Sequence, residues 1–554
     1  MKNKNLGYLL LPALLTAGDA TAQTTIVRAD NNGALTTGTS WIGNVAPSSA
    51  TAFARFDSTV TNATNSGNQL VGGSFSALGL VFTDPTVGSN GYVFNFQNSS
   101  ARLITLGNNA NTDQTLLDMS NSSVNVTFGA TADTANGNYR IGGIGALTHN
   151  IGAGTTFTLR LPYISTNANS GFTTASNASS AQMKYVNFTG AGSAVLNTPF
   201  HYNPPVADLS TSSHPNQAYM GLAIAGANVT LNGANNWLAT TTTHAAGNAA
   251  ITTGTMRFEI SSGTLNLGND NALRNDARIS AARSLAFSFK GGTVTASGAD
   301  RTLATSGGFA LDGSTTFSGA NSLTLNSATT QTGASILTNS LDSGKVLTLA
   351  QDVALSNDAT DRTLTIAGAG ETVISGEISN GGTSTASGLT KSGVGTLTLS
   401  NAANSFGGAL TVNAGTVKLG AAGVIPDSAP VTLGGGTIDL NGFNETLGSL
   451  TVSSSSTINF GSQQIAFANS SANAWSGGLS FSGSFLANSI RFGLAGTALT
   501  STQLASITVN SLGGWGLDAE GYLVAAAIPE ASSFAIWSGL AGLALAQTRR
   551  RRAG

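Results

Sequence analysis

Between Gly388 and Leu440 apolar and polar positions alternate in five short runs: Gly395-Thr-Leu-Thr-Leu399, Gly408-Ala-Leu-Thr-Val412, Gly415-Thr-Val-Lys-Leu419, Ala429-Pro-Val-Thr-Leu433 and Gly436-Thr-Ile-Asp-Leu440. In each run Leu, Val or Ile alternates with Thr, Lys or Asp, the period of a strand with one buried face, and Gly, Asn, Ser or Pro fills the gaps. One such strand buries too little to stand alone. A chain that repeats it can coil so that each turn hydrogen-bonds to the next, with the apolar side chains aligned in interior rows about 4.8 Å apart. The pattern predicts an all-β chain, a parallel β-solenoid of the right-handed β-helix kind, in which Leu397, Leu399, Leu410, Val412, Val417 and Leu419 point inward. A series of β-sandwiches shares the turn spacing and is the alternative.

The same pattern recurs along the chain. Val229-Thr-Leu-Asn-Gly-Ala-Asn-Asn-Trp237 and then Gly263-Thr-Leu-Asn-Leu267 repeat the order of Leu397-Thr-Leu-Ser-Asn-Ala-Ala-Asn-Ser-Phe406 and then Gly415-Thr-Val-Lys-Leu419, with a longer spacer. Ser322-Leu-Thr-Leu325, Val346-Leu-Thr-Leu349 and Thr363-Leu-Thr-Ile366 continue the series. Repetition of this kind is the signature of a solenoid. It sets the expected organisation: a β-rich N-terminal capping region over 23–150, a solenoid over 151–460 with its best copy at 388–440, and a closing coil and cap over 461–524. Phe-rich runs such as Ala52-Phe-Ala-Arg-Phe56 and Tyr92-Val-Phe-Asn-Phe96 suit the first layer. In the closing region Thr500 or Ser501 is expected to cap a short amphipathic turn that packs Leu504 and Ile507 on the last coil.

Composition changes the picture chiefly through what is missing. Charged residues make up 9% of the chain against roughly 25% in an ordinary globular protein, so the outward positions are wetted by Ser, Thr and Asn. A formal net charge of −2 gives no electrostatic case for nucleic acid. Cysteine is absent, so neither disulfides nor thiolate metal sites are available.

Candidate chemistry is thin. His201-Tyr-Asn-Pro-Pro205, with Asp208, His214 and Tyr219, is the one segment that hints at a metal or glycan, and it lacks metal-ligand spacing, so a Pro-rich insertion between coils is the simpler reading. His149 and His244 stand alone and read as loop residues. Asp270 and Asp276 fall in a turn, and Asp439 is the outward residue of a strand. This scatter offers no acid pair or acid–base set for polysaccharide cleavage. The sequence predicts no catalytic residue, no cofactor and no metal.

The ends decide location. Lys2 and Lys4 precede an apolar run from Leu6 to Leu15, and Ala20-Thr-Ala22 follows. That order predicts a secretory signal over 1–22, cut between Ala22 and Gln23. At the other end, over 525–554, Pro529-Glu530-Ala531 leads into the mainly apolar stretch Phe534 to Ala546 and then Arg549, Arg550, Arg551 and Arg552.

Two resemblances carry implications. Gly388-Leu-Thr-Lys-Ser-Gly-Val-Gly-Thr-Leu-Thr-Leu399, Asn404-Ser-Phe-Gly-Gly408 and Thr411-Val-Asn-Ala-Gly-Thr-Val-Lys-Leu419 resemble the autotransporter-associated β-strand repeat, with Phe406 where Tyr is common and Ala409 where Thr is common. The tail resembles a PEP-CTERM sorting signal, with Ala531 in place of the second Pro. The first implies a secreted β-helix. The second implies a membrane sorting protease of the exosortase kind as partner, a transient inner-membrane association through an apolar C-terminal helix, and delivery to the cell surface or extracellular matrix. A permanent anchor is the other reading of the tail. A self-translocating autotransporter is not expected, since fewer than 50 residues follow Ile507 and a membrane barrel needs many strands of about 10 residues each. The functional expectation is a non-catalytic structural or adhesive β-helical rod that contacts extracellular polysaccharide. The alternative is a secreted polysaccharide-binding or lyase-like enzyme.

Overall fold

A computed structural model describes residues 24–29, 34–47, 52–58, 69–71, 74–83, 91–95, 102–107, 113–129, 137–141, 145–161, 163–165, 183–198, 200–202, 219–233, 258–273, 286–305 and 307–526. The backbone divides into two compact units, 1–329 and 330–554. Both are built from parallel strands stacked coil on coil.

Most described strands of the first unit fall in three stacks. One begins with Thr24–Val27 and Ala52–Asp57 and continues through Gly79–Thr83, Gln114–Asn121, Gly145–Ile151, Met183–Gly190, Tyr219–Leu231 and Phe258–Leu267. A second runs from Gln69–Leu70 through Tyr92–Asn95, Val126–Phe128, Thr156–Leu159 and Ser193–Leu196. The third holds Phe75–Ala77, Arg102–Leu106, Gly137–Ile141, Tyr163–Ser165 and Phe200–Tyr202. Among the described residues parallel pairing thus starts at Thr24, ahead of the Phe-rich runs. The aromatic side chains there fill the interior: Phe56 stacks on Phe82 at 4.9 Å, and Phe94, Phe128 and Phe157 follow one another edge to face at 5.1 Å. Trp41 seals this row at its first coil. It is buried against Phe56 and Phe75, its Nε1 donates to Leu35 O at 2.8 Å, and the Arg28 guanidinium lies 5.7 Å from its ring.

The second unit is more regular. Ser335–Leu341, Thr363–Gly368, Gly388–Lys391, Leu410–Val412, Val431–Gly434 and Leu450–Ser454 make one stack. Val346–Leu349, Glu371–Ile374, Thr396–Leu399, Thr416–Leu419, Thr437–Asp439, Ser456–Gly461, Leu479–Gly483 and Ile507–Val509 make another. On a third side Glu445–Leu447, Ile465–Phe467 and Ile490–Phe492 stack alone, and Trp515–Leu517 closes on Leu523–Ala525 as an antiparallel hairpin. Leu397, Leu399, Leu410, Val412, Val417 and Leu419 are all fully buried. These stacks are the architecture of a β-solenoid, and discrete sandwiches of paired antiparallel sheets are not what the described residues form.

The structure changes three expectations. His149 is no loop residue: it lies in Gly145–Ile151, fully buried, with its ring 5.2 Å from Phe188 and 5.7 Å from Phe157. Its place follows from alternation, because Leu147, His149 and Ile151 share one face. Burial pushes its pKa down to about 4, so the imidazole is neutral and acts as an aromatic filler. At the closing turn, Ser501–Ala505 is indeed helical and Thr500 caps it, but the buried residue is Gln503, not Leu504, which is half-buried. Gln503 Oε1 accepts from Thr500 N at 2.7 Å, while Nε2 donates to Ser470 O at 2.9 Å and Asn473 O at 2.8 Å. A capping box thus fastens the turn to the coil, and Ile507 packs from the next strand. Finally, Tyr202 and His201 belong to a strand that pairs with Tyr163–Ser165, while the remainder of that segment, 203–218, lies outside the described residues, as do His244 and Asp276. The apolar stretch Phe534 to Ala546 lies outside them too.

Candidate functional site

Chemistry-bearing side chains in the 388–419 stretch turn out to serve the coil. Lys391 ends a strand in the inward register and is 1% exposed; its Nζ donates to Ser392 O at 2.9 Å and Gly393 O at 2.7 Å. Burial pushes its ammonium down to about 8, and the two turn carbonyls occupy it. Asn404 reaches both neighbouring coils, accepting from Ile378 N at 2.8 Å and donating to Val424 O at 2.7 Å. Phe406 is fully buried. The glycines are equally local in purpose. Gly393 sits at φ +77°, and a Cβ at Gly408 would meet Ala386 O at 2.2 Å, so coils could not approach each other with larger residues there.

Neighbouring carboxylates are engaged as well. Asp358 pairs bidentately with Arg362 at 2.8 Å for both contacts, and this holds its carboxyl far below the usual range. Asp361 accepts from Ala386 N, Ser384 Oγ and Thr385 N, which lowers it too.

What the coils leave free is their outer surface. In-register pairing lines up Thr365, Thr390, Thr411, Thr432 and Thr451 in one column, and Thr396, Thr416, Thr437, Thr457, Ser480 and Thr508 in another. Each is a hydroxyl ladder with the coil spacing of about 4.8 Å.

A place where oppositely charged residues, an aromatic ring and a concavity meet is the third side of the second unit. There Thr446, Ala466 and Arg491 form the outward row, between buried rows led by Glu445 and by Leu447. Arg491 bridges antiparallel to Tyr522, and its guanidinium carbon lies 5.7 Å from the Tyr522 ring centroid. A hollow of about 290 Å³ is lined by Asp427, Glu445, Gln464, Arg491 and Tyr522. A second of about 570 Å³ shares Asp427, Thr446, Ala466 and Arg491 with it and runs out to Leu494, which is 78% exposed. Together they make a groove with a polar end, an apolar end, and Asp427 and Arg491 at its waist.

Glu445 forms the back wall. Its Oε2 accepts from Gly423 N at 2.9 Å and its Oε1 from Ile425 N at 3.0 Å. Burial dominates those contacts and pushes its carboxyl up to about 7, with the charge of Asp427 acting in the same direction. Arg491 is the opposite case: its Nε is buried and has no hydrogen-bond partner.

None of the groove residues was a sequence candidate. Period-two alternation was the available signal for Glu445, which occupies an inward slot before Leu447. The residues that were candidates, Ala22 and Gln23 at the signal cleavage site, Pro529, Glu530 and Ala531 of the sorting motif, and Arg549, Arg550, Arg551 and Arg552, lie outside the described residues. Among the described residues no group of three or more His, Asp or Glu side chains could hold a metal ion, and no helix is long and apolar enough to cross a membrane.

Residues 389–419 match the family described as Passenger-associated-transport-repeat. No curated protein and no solved structure matches the chain. The matched stretch is the autotransporter-associated β-strand repeat that the motif residues resemble, and it implies an exported or surface protein of passenger-like β-helical build.

Proposed function

We propose that the protein is an exported, non-catalytic structural or adhesive component of the cell surface or extracellular matrix, sorted by its PEP-CTERM-like tail. The observation that carries this reading is the junction of a passenger-type repeat with parallel stacking of the described strands, in which the repeat's own Lys391, Asn404 and Phe406 are occupied by the coil. A body so built offers its surroundings hydroxyl columns, and many weak contacts along such columns add up to useful avidity for extracellular polysaccharide. Right-handed winding accords with the strong preference of parallel crossover connections for that hand.

In this reading residues 1–22 direct export and cleavage leaves Gln23 first. The apolar stretch pauses in the inner membrane with Arg549 to Arg552 on the cytoplasmic side, where an exosortase-like protease acts near Pro529 and Glu530. The test is fractionation of cells that carry the intact chain, the chain with Arg549 to Arg552 changed to Gln, or the chain lacking 528–554, with intact-mass analysis of the surface form. Both variants are expected to be lost from the surface fraction. Normal surface delivery of the truncated chain would sink the sorting assignment, and a mature protein beginning at Met1 would sink export by cleavage.

A secreted polysaccharide-degrading enzyme is the second reading, favoured by the carboxyl of Glu445 near 7 and Asp427 in one groove. Against it stands the engagement of both Glu445 oxygens by backbone N–H groups. Release of reducing or unsaturated ends by the purified chain, lost in Asp427→Asn, would establish it.

A further inference from the structure

We propose that the groove between Asp427, Arg491 and Tyr522 is a binding site for a neutral polysaccharide, with a vicinal diol held between the carboxylate and the guanidinium and a sugar ring packed beside Tyr522. The proposal gives a place and a sugar class to the polysaccharide contact suggested above, and rests on that reading.

The central observation is a charged pair that does not pair with itself. Asp427 and Arg491 line both hollows, yet among the described residues no carboxylate lies within ion-pair distance of the Arg491 guanidinium, and its Nε is buried without a hydrogen-bond partner. That Nε is enclosed, so the donors a ligand would meet are the terminal nitrogens of the guanidinium. Asp427 is exposed and its carboxylate accepts no hydrogen bond among the described residues. One group supplies donors and the other acceptors, across the same cavity. A diol satisfies both at once, since each hydroxyl donates and accepts. An anionic sugar would satisfy Arg491 but bring its carboxylate towards Asp427.

The rest of the groove fits a sugar chain. Arg491 lies against the Tyr522 ring, a placement that fixes the guanidinium and leaves an aromatic wall where the apolar C–H face of a pyranose can pack. Asn444, Gln464 and Asn488 on the polar side supply amides that donate and accept. The second hollow continues past Ala468 to Leu494, so the groove is longer than one sugar and open along its length, as a polymer requires. The hollows of about 290 and 570 Å³ fall within the usual range for small-ligand sites.

The test is affinity electrophoresis of the full chain through gels that contain dextran, galactomannan or polygalacturonate. Retardation by at least one of the neutral polymers is expected, unchanged at high salt because the contacts are short-range and mostly uncharged on the ligand side. Asp427→Asn and Arg491→Gln should each weaken it by about tenfold, Tyr522→Leu more than Tyr522→Phe. Asp427 is a surface residue, so Asp427→Asn keeps the coil intact, and unchanged thermal unfolding identifies variants that remain folded. Retardation by polygalacturonate alone, abolished by salt, would mean an ionic site and overturn the diol assignment. Neutral-polymer binding that both Asp427→Asn and Arg491→Gln leave intact would overturn the groove while sparing the adhesive reading. No retardation in any gel would overturn the site, and the fractionation experiment judges surface export separately.

Discussion

Asn404 clasps two neighbouring coils, and Asn404→Ala measures what that clasp contributes. The residue is 8% exposed and its amide joins two neighbouring coils: Ile378 N donates to Oδ1 at 2.8 Å and Nδ2 donates to Val424 O at 2.7 Å. Ile378 and Val424 are themselves fully buried. Truncation to Ala therefore removes two hydrogen bonds and strands one backbone donor and one backbone acceptor away from water. An unsatisfied buried group costs about 1–3 kcal/mol, so the pair sums to about 3 kcal/mol after partial relaxation. A solenoid need not unfold in one step, so the loss is best read locally. Hydrogen exchange at the Ile378 amide should speed by about a hundredfold, the equivalent of 3 kcal/mol.

Ser405→Ala provides the control one residue away. Ser405 Oγ donates to Glu377 Oε1 at 2.8 Å on the exposed side, and loss of an exposed contact of this kind is worth about 1 kcal/mol or less. Asn404→Asp sharpens the test. At neutral pH it places a carboxylate against Val424 O, which is worse than Ala. Once protonated, the introduced carboxyl has a donor and an acceptor in the places of the amide. Its folded pKa is raised, so stability should return as pH falls. If Asn404→Ala exchanged Ile378 no faster than Ser405→Ala does, the clasp would be decorative and the account of the repeat wrong.

Two further outcomes follow from the same packing. Leu399→Asp puts an unpaired carboxylate between Ile374 and Leu419, at a cost of about 4 kcal/mol or more, and limited proteolysis should cut the variant in that coil; wild-type resistance would argue against the inward register. Glu445, with its carboxyl raised from 4.5 to about 7, binds its proton more tightly folded than unfolded, so its stability contribution is fully present below 4.5 and is lost as pH rises through 7. The span corresponds to about 3 kcal/mol, and thermal unfolding across that window should steepen in the wild type and flatten in Glu445→Gln. Equal slopes would mean that Glu445 titrates near its ordinary value.

Alternation made the interior legible wherever strands were regular. Leu397, Leu399, Val417 and Leu419 could be assigned inward because a two-residue period allows no other choice once one face is buried. His149 obeys the same rule between Leu147 and Ile151, and reading it as a loop residue gave its polarity more weight than its position. Gln503 was obscured for a different reason. In a five-residue helix the cap geometry, which needs a side chain at the third position to reach back to Thr500 N, outweighs the apolarity of Leu504. The groove was not legible at all. Asp427, Arg491 and Tyr522 come from different coils and meet only through the stacking register and the closing hairpin, and neither is fixed by any local run of residues.

That difference also says where function can be encoded in such a protein. Residues that carry the resemblance to the repeat face inward or meet the backbone of the next coil: Lys391 binds turn carbonyls, Asn404 clasps two coils, and Gly408 leaves room for Ala386 O. Outward, Thr398, Lys418 and Asp439 succeed one another in a single column. A change at an outward position alters what the surface offers without disturbing the coil, since the strand hydrogen bonds are made by backbone and the packing by the alternate residues. Similarity confined to the inward and coil-contacting residues therefore transmits architecture. Under the proposal above, ligand choice would be carried by the outward column and by departures from regular coiling such as the groove beside Arg491.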